Sequence, residues 1–226
     1  MTYPNIYAAT FLSRPNRFIA EVDIDGKVEI AHVKNTGRCK ELLTRGAVVY
    51  LVSSDNNLRK TRFDLVSVQK GSRLINMDSQ APNAVFLEYL KSGSYLEHPS
   101  LIKREAKYGG SRFDFYIETD ERKVFIEVKG VTLEEDGVVL FPDAPTLRGV
   151  KHLEELTECI RNGYKAQIVF VIQMAGVRYF TLNKATHPRF AEALVSAQVA
   201  GVKVTALDCN VTPDSLSIRG QVRIQL

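Results

Sequence analysis

The stretch GGSRFDFYIETDERKVFIEVK, residues 109–129, decides the fold and holds the best candidates for chemistry. Its alternation of apolar and polar residues predicts two β-strands, residues 112–117 and 123–129, joined by a polar turn. A carboxylate interrupts each apolar run, Asp114 in the first and Glu127 in the second. A charge among residues that favour burial is costly unless it is paired, hydrated or bound to a metal. These two positions are therefore the first candidates for a functional site.

Side chains alternate between the two faces of a strand, which predicts where each acid points. On the first strand Asp114 and Tyr116 share one face, and three apolar residues occupy the other: Phe113, Phe115 and Ile117. On the second strand Glu127 and Lys129 lie beside Phe125, opposite three β-branched residues: Val124, Ile126 and Val128.

Two carboxylates and one ammonium group on adjacent strands can perform phosphodiester chemistry. Asp114 and Glu127 would supply oxygen ligands to Mg²⁺ or Mn²⁺, with water and substrate phosphate as the remaining ligands. The metal would polarise the phosphoryl oxygen and acidify bound water, and Lys129 would orient or help deprotonate that water. The alternative is a structural pair of Glu127 and Lys129 on a sheet surface, with Asp114 unrelated to it.

The spacing favours the chemical interpretation. Asp114, twelve intervening residues and then Glu127-x-Lys129 resemble the PD-(D/E)xK nuclease core, although Phe113 stands where that pattern has proline. The literal Pro142-Asp143 pair is not followed by Glu-x-Lys, so we do not assign it to the pattern.

Longer motifs resemble the sugar fermentation stimulation protein family (SfsA). They occur in order along the chain: RPNRF (14–18), HVKNTGR (32–38), SRFDF (111–115), EVKGVTL (127–133) and FPDAPTLRGVKHLEEL (141–156). The resemblance implies a mixed α/β protein in which a small N-terminal OB-like β-barrel precedes a PD-(D/E)xK nuclease-like α/β domain. It also implies DNA binding.

The resemblance suggests further residues for the metal site and its surroundings. Nuclease cores of this class often add an acid from the preceding helix, here Glu88, but we favour Glu105, on the strand before Asp114, as the third metal ligand. A helix is predicted at residues 147–161, capped by Thr146, and it carries Arg148 and His152 on one polar stripe. Both are candidates for accessory phosphate-binding or water-orienting groups, and both could equally be structural.

Local patterns divide the chain into residues 1–80, the OB-like nucleic-acid-binding barrel, and residues 81–226, the nuclease-like domain. Six strands are predicted in the first part: residues 6–12, 17–24, 27–33, 47–53, 63–69 and 72–76. In the second part Asn83 is predicted to cap a helix at residues 84–91. A strand-helix-strand pattern over residues 166–207 requires a parallel crossover. Residues 134–137 are predicted to form a solvated acidic turn.

The positive charge lies in the first part of the chain. Residues 1–80 hold twelve Lys and Arg against eight Asp and Glu, whereas residues 81–226 hold eighteen of each, so the whole net charge of +4 belongs to the barrel. That excess favours a nucleic-acid partner, most simply DNA. Five arginines are the candidates for binding it: Arg14, Arg17, Arg38, Arg59 and Arg62. Arg38 ends a predicted phosphate-binding loop at residues 35–38, in which Gly37 permits close approach of the backbone. Three phenylalanines could stack bases, although their spacing favours the barrel core: Phe11, Phe18 and Phe63.

Other features restrict the class of protein. The longest apolar run has six residues, against the roughly 20 needed to span a bilayer, so no membrane role is expected. An uncharged start and three widely spaced cysteines favour a reduced, cytoplasmic protein. The leading hypothesis is a metal-dependent nuclease. The alternatives are a DNA-binding transcriptional regulator of sugar metabolism genes with a non-catalytic nuclease-like scaffold, and an RNA- or protein-binding adaptor.

Overall fold

The computed structural model describes residues 1–35, 37–54, 59–97 and 99–226. Thr36, in the predicted phosphate-binding loop at residues 35–38, lies outside this part of the chain. Within the described ranges, no helix is long and apolar enough to cross a membrane.

Six strands form the N-terminal sheet: β1 (Ile6–Asn16), β2 (Ile19–Ile24), β3 (Lys27–Val33), β4 (Val48–Ser53), β5 (Phe63–Lys70) and β6 (Arg73–Asn76). Strand β1 pairs with both β2 and β4, and a parallel pairing of β3 with β5 closes the circle. The result is a closed five-stranded barrel with β6 added beside β5. The predicted OB-like fold is confirmed.

The barrel interior is apolar, and it decides the role of two of the three phenylalanines. Phe11 and Phe63 are buried in the barrel core, as their spacing favours, together with Leu51 and Leu65. Phe18 is 49% exposed and lies beside the Arg17 guanidinium, 6.0 Å from the ring centroid. Phe18 is therefore the only one of the three that can reach a ligand from the surface.

The second half contains three helices and two further sheets. The helices are α1 (Ala81–Lys91), α2 (Leu147–Arg161) and α3 (Pro188–Val199). The large sheet contains, from one edge to the other, β15 (Ser215–Gln221), β14 (Lys203–Thr212), β12 (Lys165–Ile172), β9 (Lys123–Val131), β8 (Ser111–Glu118) and β7 (Leu101–Tyr108). The small sheet contains β10 (Glu134–Glu135), β11 (Val138–Phe141), β13 (Tyr179–Leu182) and β16 (Ile224–Gln225).

Strand β12 lies in the middle of the large sheet, parallel to β9 on one side and to β14 on the other. Helix α2 connects β9 to β12, after β10 and β11, and α3 connects β12 to β14 after β13. The predicted parallel crossover is confirmed, and the continuous apolar sequence of β12 follows from burial on both faces. The carboxyl ends of β9 and β12 consequently open at the same edge of the sheet.

Helix α1 begins three residues earlier than predicted. Asn83 is its third residue and not its cap, because Pro82 is well suited to the first turn and the helix starts after Gln80. The Asn83 side chain is therefore not used for capping. Instead its Nδ2 atom donates a hydrogen bond to Asp114, as described below.

The barrel and the second half share one continuous apolar core, which runs from residues such as Leu51 to Phe170. Polar contacts also join them, because the buried Glu134 carboxylate forms ion pairs with Arg73 at 2.6 Å and with Lys70 at 2.9 Å. The prediction of a solvated acidic turn is thus wrong for Glu134, whose cationic partners lie over sixty positions away in sequence. The connection at residue 80 joins β6 to α1, and the division into two domains there stays a prediction.

Candidate active site

Asp114 lies where two strands separate. Strands β8 and β9 pair as far as Phe115 and Ile126, and beyond this point the Asp114 carboxylate takes the place of a backbone partner. Its Oδ2 atom accepts the Val128 N–H at 2.8 Å, and its Oδ1 atom accepts Asn83 Nδ2 at 2.7 Å. The carboxylate is therefore fixed from both β9 and α1.

The regular alternation of β8 breaks at this position. Phe113 was expected beside Phe115, but it packs with Phe125, at 5.6 Å between ring centroids, and with His152. Phe115 belongs to the separate apolar cluster under α1. Opposite the break, Glu105 of β7 has a left-handed backbone with φ of +52°. This irregularity lets Asp114 leave the plain strand geometry and face Val128.

Burial, and after it the negative charge of Glu127, raise the pKa of Asp114 from its ordinary value to about 6. The hydrogen bonds from Val128 and Asn83 and the charge of Lys129 offset part of this effect. The electrostatic coupling shows that the three predicted residues Asp114, Glu127 and Lys129 influence one another. An unneutralised carboxylate pair in this environment is unfavourable at neutral pH.

Glu127 is 3% exposed, and its two oxygens have different surroundings. Oε1 accepts Lys129 Nζ at 2.6 Å and His152 Nδ1 at 2.5 Å. Oε2 is buried and has no hydrogen-bond partner among the described residues. Burial by itself raises the pKa of Glu127, but the His152 hydrogen bond and the Lys129 charge outweigh it, so the pKa lies below its usual value. Glu127 is thus ionised, with one oxygen still able to accept a ligand.

Helix α2 supplies His152, which is buried against Glu127. Thr146 caps the helix as predicted, since its side chain accepts the Gly149 N–H. Arg148 Nε lies 3.3 Å from His152 Nε2. Because arginine can only donate, Nε2 must accept and Nδ1 carries the proton donated to Glu127. The predicted polar stripe therefore faces the site, where His152 holds Glu127 in place.

Asp114 and Glu127 are suited to hold a cation together. No group of three or more His, Cys, Asp or Glu side chains in the described part of the chain is arranged as a metal site. Glu127 Oε2, which has no hydrogen-bond partner among the described residues, could nevertheless accept a cation, and the raised pKa of Asp114 is in keeping with a positive ligand there. Two carboxylates fit a hard cation that takes its other ligands from water and a phosphate, as Mg²⁺ does.

The structure does not bring the other predicted acids to this pair. Glu105 is more than half exposed, and its carboxylate lies 3.7 Å from Arg112. Glu88 is also exposed, and it binds the N-terminal ammonium group of Met1 at 2.6 Å. Sequence spacing predicts that Glu105 lies on a strand and Glu88 on a helix, but it does not predict the direction in which each side chain points.

Two of the five candidate arginines hold the barrel together. The Arg59 guanidinium forms a bidentate ion pair with Asp64, at 3.0 and 2.5 Å. Asp64 also contacts His32, whose Nδ1 atom lies 3.1 Å from Asp64 Oδ1. Arg14 donates to four backbone carbonyls: Arg17, Asn35, Gly37 and Arg38. The other three arginines are exposed at the barrel surface: Arg17, Arg38 and Arg62.

Asn83 is the residue of the site that sequence reasoning missed. An asparagine just before an apolar helical segment is ordinarily a cap, and nothing in its local sequence indicates a partner thirty-one positions away. The contact arises only when α1 packs across the large sheet beside β9.

Comparison with known proteins agrees with this architecture. The SfsA N-terminal OB domain matches residues 12–77, and the sugar fermentation stimulation protein RE domain matches residues 80–215. The sugar fermentation stimulation protein homolog of Desulfitobacterium hafniense (strain Y51) is 58% identical over 226 residues, which cover 100% of this chain and 99% of that protein. The homolog of Ruminiclostridium cellulolyticum is 57% identical, with 100% of both chains covered.

A solved structure, Pyrococcus furiosus SfsA in complex with Ca²⁺, has a TM-score of 0.90 to this chain and 30% sequence identity. The match covers 100% of this chain and 98% of the Pyrococcus furiosus chain. Because both family domains match in order and the relatives are similar over their whole length, the chain belongs to the sugar fermentation stimulation protein (SfsA) family.

Proposed function

We propose that this protein is a metal-dependent nuclease whose catalytic residues are Asp114, Glu127 and Lys129. The observation that carries the proposal is the buried Oε2 of Glu127, which no described residue hydrogen-bonds, together with an Asp114 whose pKa is raised to about 6. Ionised Asp114 is unfavourable in this buried place beside Glu127, so a scaffold without a ligand would gain nothing from keeping it there.

The cation would be Mg²⁺ or Mn²⁺, and Asp114 and Glu127 would hold it. The Ca²⁺ complex of the Pyrococcus furiosus relative supports a divalent ion in the family, since Ca²⁺ also prefers carboxylate oxygens. When bound, the cation would polarise a phosphoryl oxygen and acidify a bound water.

The remaining chemistry belongs to the protein. Lys129 Nζ donates a hydrogen bond to Glu127 Oε1 at 2.6 Å. From this position it would offset negative charge that develops on the phosphate, or help to orient the attacking water. His152 and Asn83 touch the carboxylates of Glu127 and Asp114 and act as positioning residues. Arg148 is exposed one turn before His152, where it could contact a substrate phosphate.

The substrate is a nucleic acid, with DNA as our proposal. The barrel has the OB topology that in other proteins binds strands, and it holds the whole positive excess of the chain. Arg17, Arg38 and Arg62 are exposed on it and form the proposed contact with the backbone. The cysteines Cys39, Cys159 and Cys209 are buried free thiols, which suits a reducing cytoplasm.

The test is a cleavage assay on single- and double-stranded DNA and RNA, each with Mg²⁺, Mn²⁺ or EDTA. The proposal expects metal-dependent cleavage of at least one substrate, lost in Lys129→Ala. DNA binding without cleavage on any substrate would leave the regulator with a non-catalytic scaffold as the function. An adaptor would bind RNA or protein in preference to DNA and would cleave nothing.

A further inference from the structure

A cavity of about 300 Å³ lies between the barrel and the nuclease-like half. It lies at the carboxyl ends of β9 and β12, where Gly130 to Leu133 leave the sheet and Gln173 follows β12. Crevices at this edge of an open α/β sheet are the usual ligand sites of such folds. The cavity wall begins at Gly130, the residue that follows Lys129. The Cα atoms of these two neighbours are about 3.8 Å apart.

Residues from both halves of the protein line this cavity, and they pack closely around it. A Cβ atom on Gly37 would lie 2.7 Å from Asp143 Oδ2, so the barrel loop rests directly on the opposite half. Arg14 fixes that loop by donating to the carbonyls of Asn35 and Gly37, each at 3.1 Å. A Cβ atom on Gly130 would lie 2.6 Å from Pro82. At these two positions the described walls of the cavity are closely packed, so the cavity is preformed there.

The chemistry of the lining excludes an anion. The described residues that line it include no Lys, Arg or His, and one of them is the carboxylate Asp143. A phosphate would meet negative charge without compensation, even though the first turn of α2 is close by. The cavity instead suits an uncharged group.

The lining has one apolar side and one hydrogen-bonding side. Val131, Leu133 and Phe141 supply apolar surface, while Ser79, Thr132 and Gln173 supply polar groups. Gln173 is 1% exposed, and its Nε2 atom donates to Asn76 Oδ1 at 2.8 Å and to the Asp78 carbonyl at 3.0 Å. Those bonds fix the amide so that its acceptor atom Oε1 lies on the Gly130 side.

We propose that this cavity receives one unpaired nucleobase of the strand whose phosphate lies at Asp114 and Glu127. A base is neutral, has flat apolar faces and carries both donors and acceptors at its edge, which matches this lining. The volume lies at the lower end of the range for small-molecule sites, about 300–1,000 Å³, and so suits a single base. The inference rests on the proposed nuclease function and specifies which part of the substrate the protein reads.

Ala144→Leu tests the proposal, because Ala144 lines the cavity and a larger side chain there fills it. Affinity is measured by fluorescence anisotropy in EDTA, for an ordinary oligonucleotide and for a fully abasic strand of the same length. We expect Ala144→Leu to weaken binding of the ordinary strand about tenfold, the scale of one base contact, and to leave the abasic strand unaffected. Thr132→Val, which removes a hydroxyl without changing shape, should act in the same direction.

Ala200→Leu, on an exposed residue that follows α3, is the matched control and should bind both strands like the wild type. Equal affinity of Ala144→Leu and wild type for the ordinary strand would overturn the cavity assignment while metal-dependent cleavage still stands. Equal weakening on both strands would also overturn it, since the effect would not involve a base. Free deoxynucleosides that bind in the cavity more tightly than the strand would identify a small-molecule site instead. Wild-type protein that neither binds nor cleaves any strand would overturn both proposals.

Discussion

His152 Nδ1 lies 2.5 Å from Glu127 Oε1, so a side chain of α2 fixes the central carboxylate of β9. Lys129 Nζ contacts the same oxygen, and Oε2 has no hydrogen-bond partner in the part of the chain that the structure describes. Both cationic or donor groups thus hold one oxygen, and the other keeps its capacity for a ligand. Oε1 thus positions Glu127, and Oε2 is the atom that can bind a ligand.

We expect His152→Ala to lower metal affinity or cleavage by about 10- to 100-fold, because removing a group that orients a ligating carboxylate has effects of this size. DNA affinity in EDTA should stay unchanged. Metal affinity is measured by calorimetry, and kcat and KM are measured separately. His152→Asn keeps a donor and should restore part of kcat, whereas Glu154→Ala on the exposed face of α2 should change nothing. Wild-type metal affinity and kcat in His152→Ala would exclude the positioning role.

The raised pKa of Asp114 predicts the pH dependence of stability without metal. Asp114 has an ordinary pKa of 3.8 and one of about 6 in the fold, so the folded state binds the proton more tightly. Its contribution to stability is present below about pH 4 and is lost as pH rises through about 6. Asp114→Asn does not titrate, so between pH 4 and pH 7 its free energy of unfolding should rise relative to wild type by up to about 3 kcal/mol.

Urea unfolding in EDTA across this pH range measures the difference. A difference between the two proteins that stays constant from pH 4 to pH 7 would contradict the buried, coupled state of Asp114. The same samples with Mn²⁺ should show a higher midpoint for the wild type at pH 7 and no change for Asp114→Asn, since only the wild type retains both carboxylates.

The barrel arginines should fall into two groups in DNA binding. Replacing exposed Arg38 and Arg62 by Ala should weaken binding and reduce the slope of log K against log salt by up to about two units. Arg59→Ala should alter the slope less and lower stability instead, because it leaves Asp64 without its bidentate partner. Anisotropy titrations at several salt concentrations measure both. A larger slope change for Arg59→Ala than for the double variant would reverse the assignment.

Sequence reasoning was most successful where local pattern and burial agree. The strands of the barrel, the apolar β12 and the Thr146 cap all follow from spacing within a few residues, and the structure contains them. It was least successful where a short segment depends on a distant partner. Strands β13 and β16 have four and two residues, too few for a periodic signal, and they exist because β13 pairs with both β11 and β16.

The candidate site shows the same division. Asp114, Glu127 and Lys129 could be named as candidates from their spacing along adjacent strands, whereas the break in β8 that turns Asp114 toward Val128 could not. The support around them could not be predicted. Asn83 reaches Asp114 through tertiary packing of α1, and Glu105 turns to Arg112 at a backbone irregularity that the sequence does not signal.

The most direct test of the nuclease assignment compares hydrolysis and binding in Asp114→Ala. We expect the variant to lose metal-dependent cleavage of the best substrate, because removing a ligand of the activating metal takes away several kcal/mol of transition-state stabilisation. Its affinity for the same strand in EDTA should stay near the wild-type value, since that affinity comes from arginines on the barrel. Cleavage by Asp114→Ala at the wild-type rate would contradict the account and place the activity at another site.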